Sequence, residues 1–270
     1  MIGAILVAAR NGGQGIIAAS RPATPQDPSK RVAIASSARD IIGERMPARQ
    51  SFLSSTVGSK LLVAVTGLSL FGFLILHLSG NLLVYLGPET FNHYSEQLLR
   101  NPLLIPAELS LLALFLLHAY KAIRLLLGSG RARPQKYALK RRAGHTSRKN
   151  AASSTMIATG LFLLLFVPFH VKTFKYGPYY ASATESGVRD LYRLVMEIYS
   201  HPGYVAFYVV SMLVVGFHLW HGISSAFQTM GVDTPRWTPT IRLAGWLLAL
   251  AIAGGFMTIP IWAFVFGTRP

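Results

Sequence analysis

The chain of 270 residues contains no cysteine at all. That excludes disulfides, a thiolate-bound iron–sulfur cluster and covalent haem attachment through a C-x-x-C-H motif. Any iron–sulfur chemistry must therefore sit on a partner. Charge is scarce as well: 13% of the residues are charged, against about 25% in ordinary soluble domains. Acidic residues are scarcest, with 10 Asp and Glu against 26 Lys and Arg and a net charge of +16. An excess of that size is one mark of a nucleic-acid partner. Here the basic residues cluster between long apolar runs, which argues for membrane topology and against nucleic acid. A hydrophobic content of 51% and a mean hydropathy of +0.41 point the same way.

Residues 1–55 read as a flexible cytoplasmic extension rich in Ala, Ser, Arg, Gly and Pro, whose apolar opening is too short to span a bilayer. Residues 56–270 read as one membrane domain. Its five apolar segments, about 60–86, 106–127, 153–171, 202–227 and 242–266, each reach the roughly 20 residues that a spanning helix needs. The expected fold class is therefore all-α, a bundle of five transmembrane helices. Pro106 and Pro202 fall in first turns, where a missing N–H costs nothing, whereas Pro168 lies inside the third span and predicts a kink or its last turns. The segment around residues 87–105 reads as a short amphipathic helix after a turn. Lys and Arg divide 20 to 6 between the two sides, so the positive-inside rule places the N-terminus and the basic loop 121–149 in the cytoplasm and the C-terminus outside.

A repeat organises this domain. Thr66 to His77 reads TGLSLFGFLILH, and Thr159 to His170 reads TGLFLLLFVPFH. Eleven residues at about 100° each bring Thr and His onto one helix face, roughly 16 Å apart. With the orientation above, His77 and His170 lie in the outer half of their spans, and His118 and His218 in the inner half. A lone intramembrane His is more often a helix–helix hydrogen bond than a ligand. Four of them, one per helix and paired by depth, suit two b-type haems, each taking two axial imidazoles from facing helices. On that reading Thr66, Gly67, Thr159 and Gly160 line the inner haem, the glycines admitting the flat macrocycle. Lys60, Arg124 and Lys149 lie near enough to the inner surface to pair with propionates. His221, one turn inward of His218, reads as a hydrogen-bonding or propionate neighbour, the alternative being that it replaces His218 as ligand. His93, His145 and His201 fall on the outer loop, the basic loop and a helix start.

Taken together, TGLSLFGFLILHLSGNL (66–82), GPETFNHY (87–94), LHAYKAIR (117–124), TGLFLLLFVPFH (159–170) and FHLWHGISSAFQTMG (217–231) resemble the cytochrome b membrane subunit of succinate:quinone oxidoreductases, in its single-subunit, five-helix, di-haem form, a group that includes some fumarate reductases. The resemblance runs from about residue 56 to the last helix. It implies His77 with His170 as ligands of the outer haem and His118 with His218 as ligands of the inner one. It also implies a flavoprotein and an iron–sulfur subunit as cytoplasmic partners, a menaquinone or ubiquinone as electron acceptor, and a place in the bacterial cytoplasmic membrane. The dicarboxylate site would belong to a partner subunit. Relatives carry polar residues near Ala64 and an aromatic near Ser153 at the propionates, and this chain departs from that pattern.

Quinone reduction needs protons, for which Glu89 in the outer amphipathic segment and Glu108, the acid inside a span, are candidates. A plain helix N-terminal acid stabilised by the dipole is the competing reading of Glu108. Two other functions fit the histidines less fully. One is the di-haem cytochrome of another quinone-linked complex, such as a hydrogenase or formate dehydrogenase. The other is a haem-free transporter or scaffold, for which the paired broken helices of secondary transporters are missing.

Overall fold

The computed structural model describes residues 51–131, 151–183 and 187–267. The tail through residue 50 and most of the basic loop, with His145 and Lys149, lie outside the described residues, and so do the expectations placed on them. Among the described residues there are seven α-helices and no strand beyond one antiparallel bridge, Ala181 with Arg189. In chain order the helices are α1 (Thr56–Asn81), α2 (Pro88–Arg100), α3 (Leu104–Arg131), α4 (Ala151–Phe174), α5 (Leu191–Ser200), α6 (Pro202–Thr229) and α7 (Thr238–Phe266). Five of them, α1 with its 3-10 continuation to Leu86, α3, α4, α6 and α7, are long and apolar enough to cross a membrane. At most 33% of any of their apolar windows is buried within the chain. Leu76 and Leu165 stay 70% and 76% exposed, which is favourable in lipid and costly in water.

Local chemistry sets the helix ends. α1 starts at Thr56 because the Ser55 hydroxyl accepts from the Gly58 N–H at 3.0 Å. A 3-10 turn, Phe52–Ser54, precedes it, and Lys121 on α3 donates to the Leu53 carbonyl at 2.8 Å. α3 starts at Leu104, ahead of Pro106, which remains within the first turn. α4 continues through Pro168 to Phe174 rather than ending near 171. Several hydroxyls inside the spans return their protons to the preceding turn, as Ser69 does to Val65 O and Ser211 to Phe207 O, which satisfies those donors in the apolar medium.

The four histidine-bearing helices stand in the spatial order α3, α1, α6, α4, each packed on the next. Among the described residues, α1 and α4 share no more than marginal backbone contact, and the same holds for α3 and α6. These two pairs are the diagonals of the bundle. α7 buttresses α6 and α1, and at Gly255 the absence of a side chain makes room for Leu78, since a Cβ there would lie 2.8 Å from Leu78 Cδ2 and the leucine would have to shift. We call the end where α1, α4 and α7 finish the cap, and the opposite end the base.

Two short helices close the cap. α2 is the expected amphipathic helix, introduced by Gly87 at φ +96° and by Pro88 at its first position. α5 falls within a stretch read as loop and is an addition to the expected fold. Its N-cap, Asp190, accepts from the Arg193 N–H at 2.9 Å and from Asn92 Nδ2 at 2.8 Å, while Asn92 Oδ1 accepts from the Tyr192 N–H at 2.9 Å. Asn92 is buried, and this clasp joins α2 to α5.

Candidate functional site

The repeated Thr-Gly-Leu segments run along α1 and α4, and their terminal histidines meet. The rings of His77 and His170 lie 5.8 Å apart, centroid to centroid, and nearly perpendicular at 85°. The rings of His118 on α3 and His218 on α6 lie 6.4 Å apart at 71°. One pair bridges the α1–α4 diagonal near the cap and the other bridges the α3–α6 diagonal toward the base. The two hairpins, α1 with α3 and α4 with α6, thus each contribute one imidazole to each pair.

Hydrogen bonds orient the base pair. His118 Nδ1 lies 3.1 Å from Thr66 Oγ1 and 3.1 Å from the Val63 carbonyl. His218 Nδ1 lies 3.3 Å from Thr159 Oγ1. The Thr of each repeat therefore holds the histidine of the neighbouring helix rather than that of its own. Gly67 and Gly160 do the related steric work: a Cβ at Gly67 would lie 3.0 Å from His118 Cε1, and one at Gly160 would lie 3.6 Å from His218 Cε1. The flat ring that approaches these glycines is the imidazole.

The cap pair sits among aromatics instead. Phe73 stacks on His77 at 5.2 Å and 15°, and Phe256 of α7 flanks it at 5.5 Å. Phe166, Phe174 and Tyr208 surround His170 at 5.7, 5.4 and 6.0 Å. His77 Nδ1 lies 3.3 Å from Asn81 Nδ2, and His170 Nδ1 lies 3.5 Å from the Tyr208 hydroxyl. These aromatic residues are given no role in the sequence analysis. A signal for them exists, because the repeat also conserves an internal spacing: Phe73 and Phe166 each stand four residues before their histidine and seven after their threonine. That places Thr, Phe and His on one helix face.

The remaining candidates lie apart from the two pairs. His221 is partly buried, has no hydrogen bond among the described residues and faces no second imidazole, so the ring opposite His118 is that of His218. Arg124 is exposed and donates to the Tyr120 hydroxyl one turn earlier, at 3.2 Å. Lys60 is exposed near the start of α1. Glu89 is exposed in the first turn of α2, and Glu108 pairs with Lys175 at the end of α4. His93 contacts Gln97 on the exposed face of α2. His201 occupies the N-cap position of α6, where its side chain forms no cap hydrogen bond.

Compared with protein-family models, curated proteins and solved structures, the chain matches none.

Chemically, each site offers two opposed imidazoles whose Nδ1 atoms face protein partners, which leaves Nε2 as the free ring nitrogen. Taking about 2 Å for each metal–imidazole bond and about 1 Å more to each ring centroid, two imidazoles on opposite sides of one metal ion stand roughly 6 Å apart. Both separations, 5.8 and 6.4 Å, meet that requirement. Among the described residues no group of three or more His, Asp or Glu could close a metal site by itself. Two imidazoles and no third protein donor are what a bis-imidazole macrocycle would require of the chain.

Proposed function

We propose that the chain is a di-haem membrane cytochrome b, and specifically the membrane anchor of a succinate:quinone oxidoreductase, the respiratory complex II. The observation that carries the cytochrome reading is the pair of opposed imidazoles on each diagonal, at 5.8 and 6.4 Å. The finer identity rests on the sequence stretches given above, FHLWHGISSAFQTMG and GPETFNHY foremost. Bound between the pairs, two b haems would supply one-electron transfer between an iron–sulfur partner and a membrane quinone.

The chain's own residues do the holding. His77 and His170 bind at the cap, and His118 and His218 bind toward the base. Thr66 and Thr159 orient the base imidazoles, while Gly67 and Gly160 give them room. Phe73, Phe166 and Phe256 keep water from the cap pair. By the charge rule the base faces the cytoplasm of a bacterial cell, where the flavoprotein and iron–sulfur subunits dock, and the cap faces outward. Glu89 and Glu108 lie at the cap and are the candidates to hand protons to a quinone there, Glu108 only after releasing Lys175.

A dithionite-reduced minus oxidised spectrum of membranes holding the whole complex tests the reading. A b-type band that succinate also reduces is expected, and His77→Ala removes one of its two components. No b-type band overturns the cytochrome reading. A band that dithionite reduces and succinate does not overturns the complex II assignment.

A further inference from the structure

The two histidine pairs are held by different kinds of partner. At the base, the Val63 carbonyl can only accept, so His118 Nδ1, 3.1 Å away, carries the proton. Thr66 agrees: its hydroxyl donates to Leu62 O at 2.6 Å, so its oxygen accepts from His118. Thr159 donates to Met156 O at 3.0 Å, and its oxygen therefore accepts from His218 Nδ1 at 3.3 Å. Both base imidazoles are Nδ1–H tautomers with the lone pair on Nε2. At the cap, among the described residues, no obligate acceptor fixes the tautomer in this way. Asn81 Nδ2 donates to the His77 carbonyl at 2.7 Å and lies 3.3 Å from His77 Nδ1. The Tyr208 hydroxyl, which can donate or accept, lies 3.5 Å from His170 Nδ1.

Building on the cytochrome reading, we propose that Thr159 and Thr66 are positioning residues that fix the tautomer and electron-donating strength of the base imidazoles, and so set the reduction potential of the base haem independently of the cap haem. An imidazole that donates its Nδ1–H is a more basic ligand and favours the oxidised metal. Removing the acceptor raises the potential. Among the described residues Thr159 is the one acceptor facing His218, whereas His118 keeps the Val63 carbonyl when Thr66 is lost. The two threonines are therefore unequal.

Redox potentiometry of the b-type absorbance, with low-temperature EPR of the ferric signals, reads this in membranes holding the complete complex. Thr159→Val moves one component to higher potential and shifts its EPR signal, leaving the other component in place. Thr159→Ser restores the original value. Thr66→Val moves the same component by less. A Thr159→Val shift in both components, or in neither, overturns the inference, and so does a Thr66→Val shift in the other component. Should Thr159→Val bind no haem, Thr66→Val is read alone: a rise in one component supports the inference and no change overturns it. Wild-type membranes without b-type absorbance overturn the underlying cytochrome reading instead, so the two failures stay distinct.

Discussion

Gly67 and Gly160 occupy the same place in the two repeats, yet they are under different pressure. A methyl group at Gly160 would meet His218 Cε1 at 3.6 Å, an ordinary contact, while at Gly67 the distance to His118 is 3.0 Å. Protein interiors yield little to such crowding, and the imidazole has two hydrogen bonds to lose if it moves. Gly67→Ala is therefore expected to weaken or shift the base b-type component, and Gly160→Ala to leave it unchanged; difference spectra of the two variants at matched protein levels compare them. Ion pairs at this scale matter less. Glu108 and Lys175 are both about 40% exposed, and a pair so hydrated contributes about 1 kcal/mol or less. It therefore adds little to the stability of the fold. Tyr199 of α5, buried beside Tyr208, is held protonated far above the usual phenol range by its burial, so it packs as a neutral group against Phe174 and Tyr208, which flank His170.

Among the elements, α1 and α4 act as rulers. Each counts eleven residues from the Thr that holds a base imidazole to the His of the cap pair, which fixes the axial spacing of the two sites at roughly 16 Å. A single Ala inserted between Ser69 and Phe73 turns His77 by about 100° and carries it off the diagonal. The expected result is loss of the cap b-type component with the base component retained, seen in the same difference spectrum. The cap depends on another kind of element contact, the buried Asn92 clasp. Asn92→Ala strands the Tyr192 N–H, at a cost of about 1–3 kcal/mol where it is buried, and leaves Asp190 Oδ1 with only the Arg193 N–H. Thermal unfolding in detergent should show that loss, and Asp190→Ala should not add to it in full, because both changes break one network. How far these elements were legible follows from contrast. Lys, Arg and hydropathy mark the spans clearly, and the Thr-to-His spacing marks the pairing by depth. α5 escaped because ten residues, LYRLVMEIYS, make a weak pattern after a long irregular stretch, though Asp190 as N-cap before apolar residues at 191, 194, 195 and 198 was a readable start. The aromatic walls escaped for a different reason: in helices apolar on every side, hydropathy cannot separate an inward Phe from one facing lipid.

For the whole molecule, the consequential fact is that both pairs lie on diagonals. α6 touches α1, α4 and α7, so the bundle has a firm central seam, while α3 packs on α1 with none of its apolar window buried. The helix that supplies His118 thus has no part of its apolar window covered by its own chain, and whatever His118 and His218 grip together would add to its hold. Synthesis runs from the N-terminus, and domains assemble in that order. When the first hairpin has entered the membrane, it presents His77 and His118, each without its counterpart. A cofactor that needs two axial ligands has no complete seat until α4 and α6 arrive. On the proposed di-haem reading, neither haem would be acquired ahead of the other by half the protein, and a truncated or stalled chain is expected to stay colourless. The crossing of the paired histidines between hairpins would then make cofactor capture a checkpoint on complete insertion, with the pigment itself reporting it.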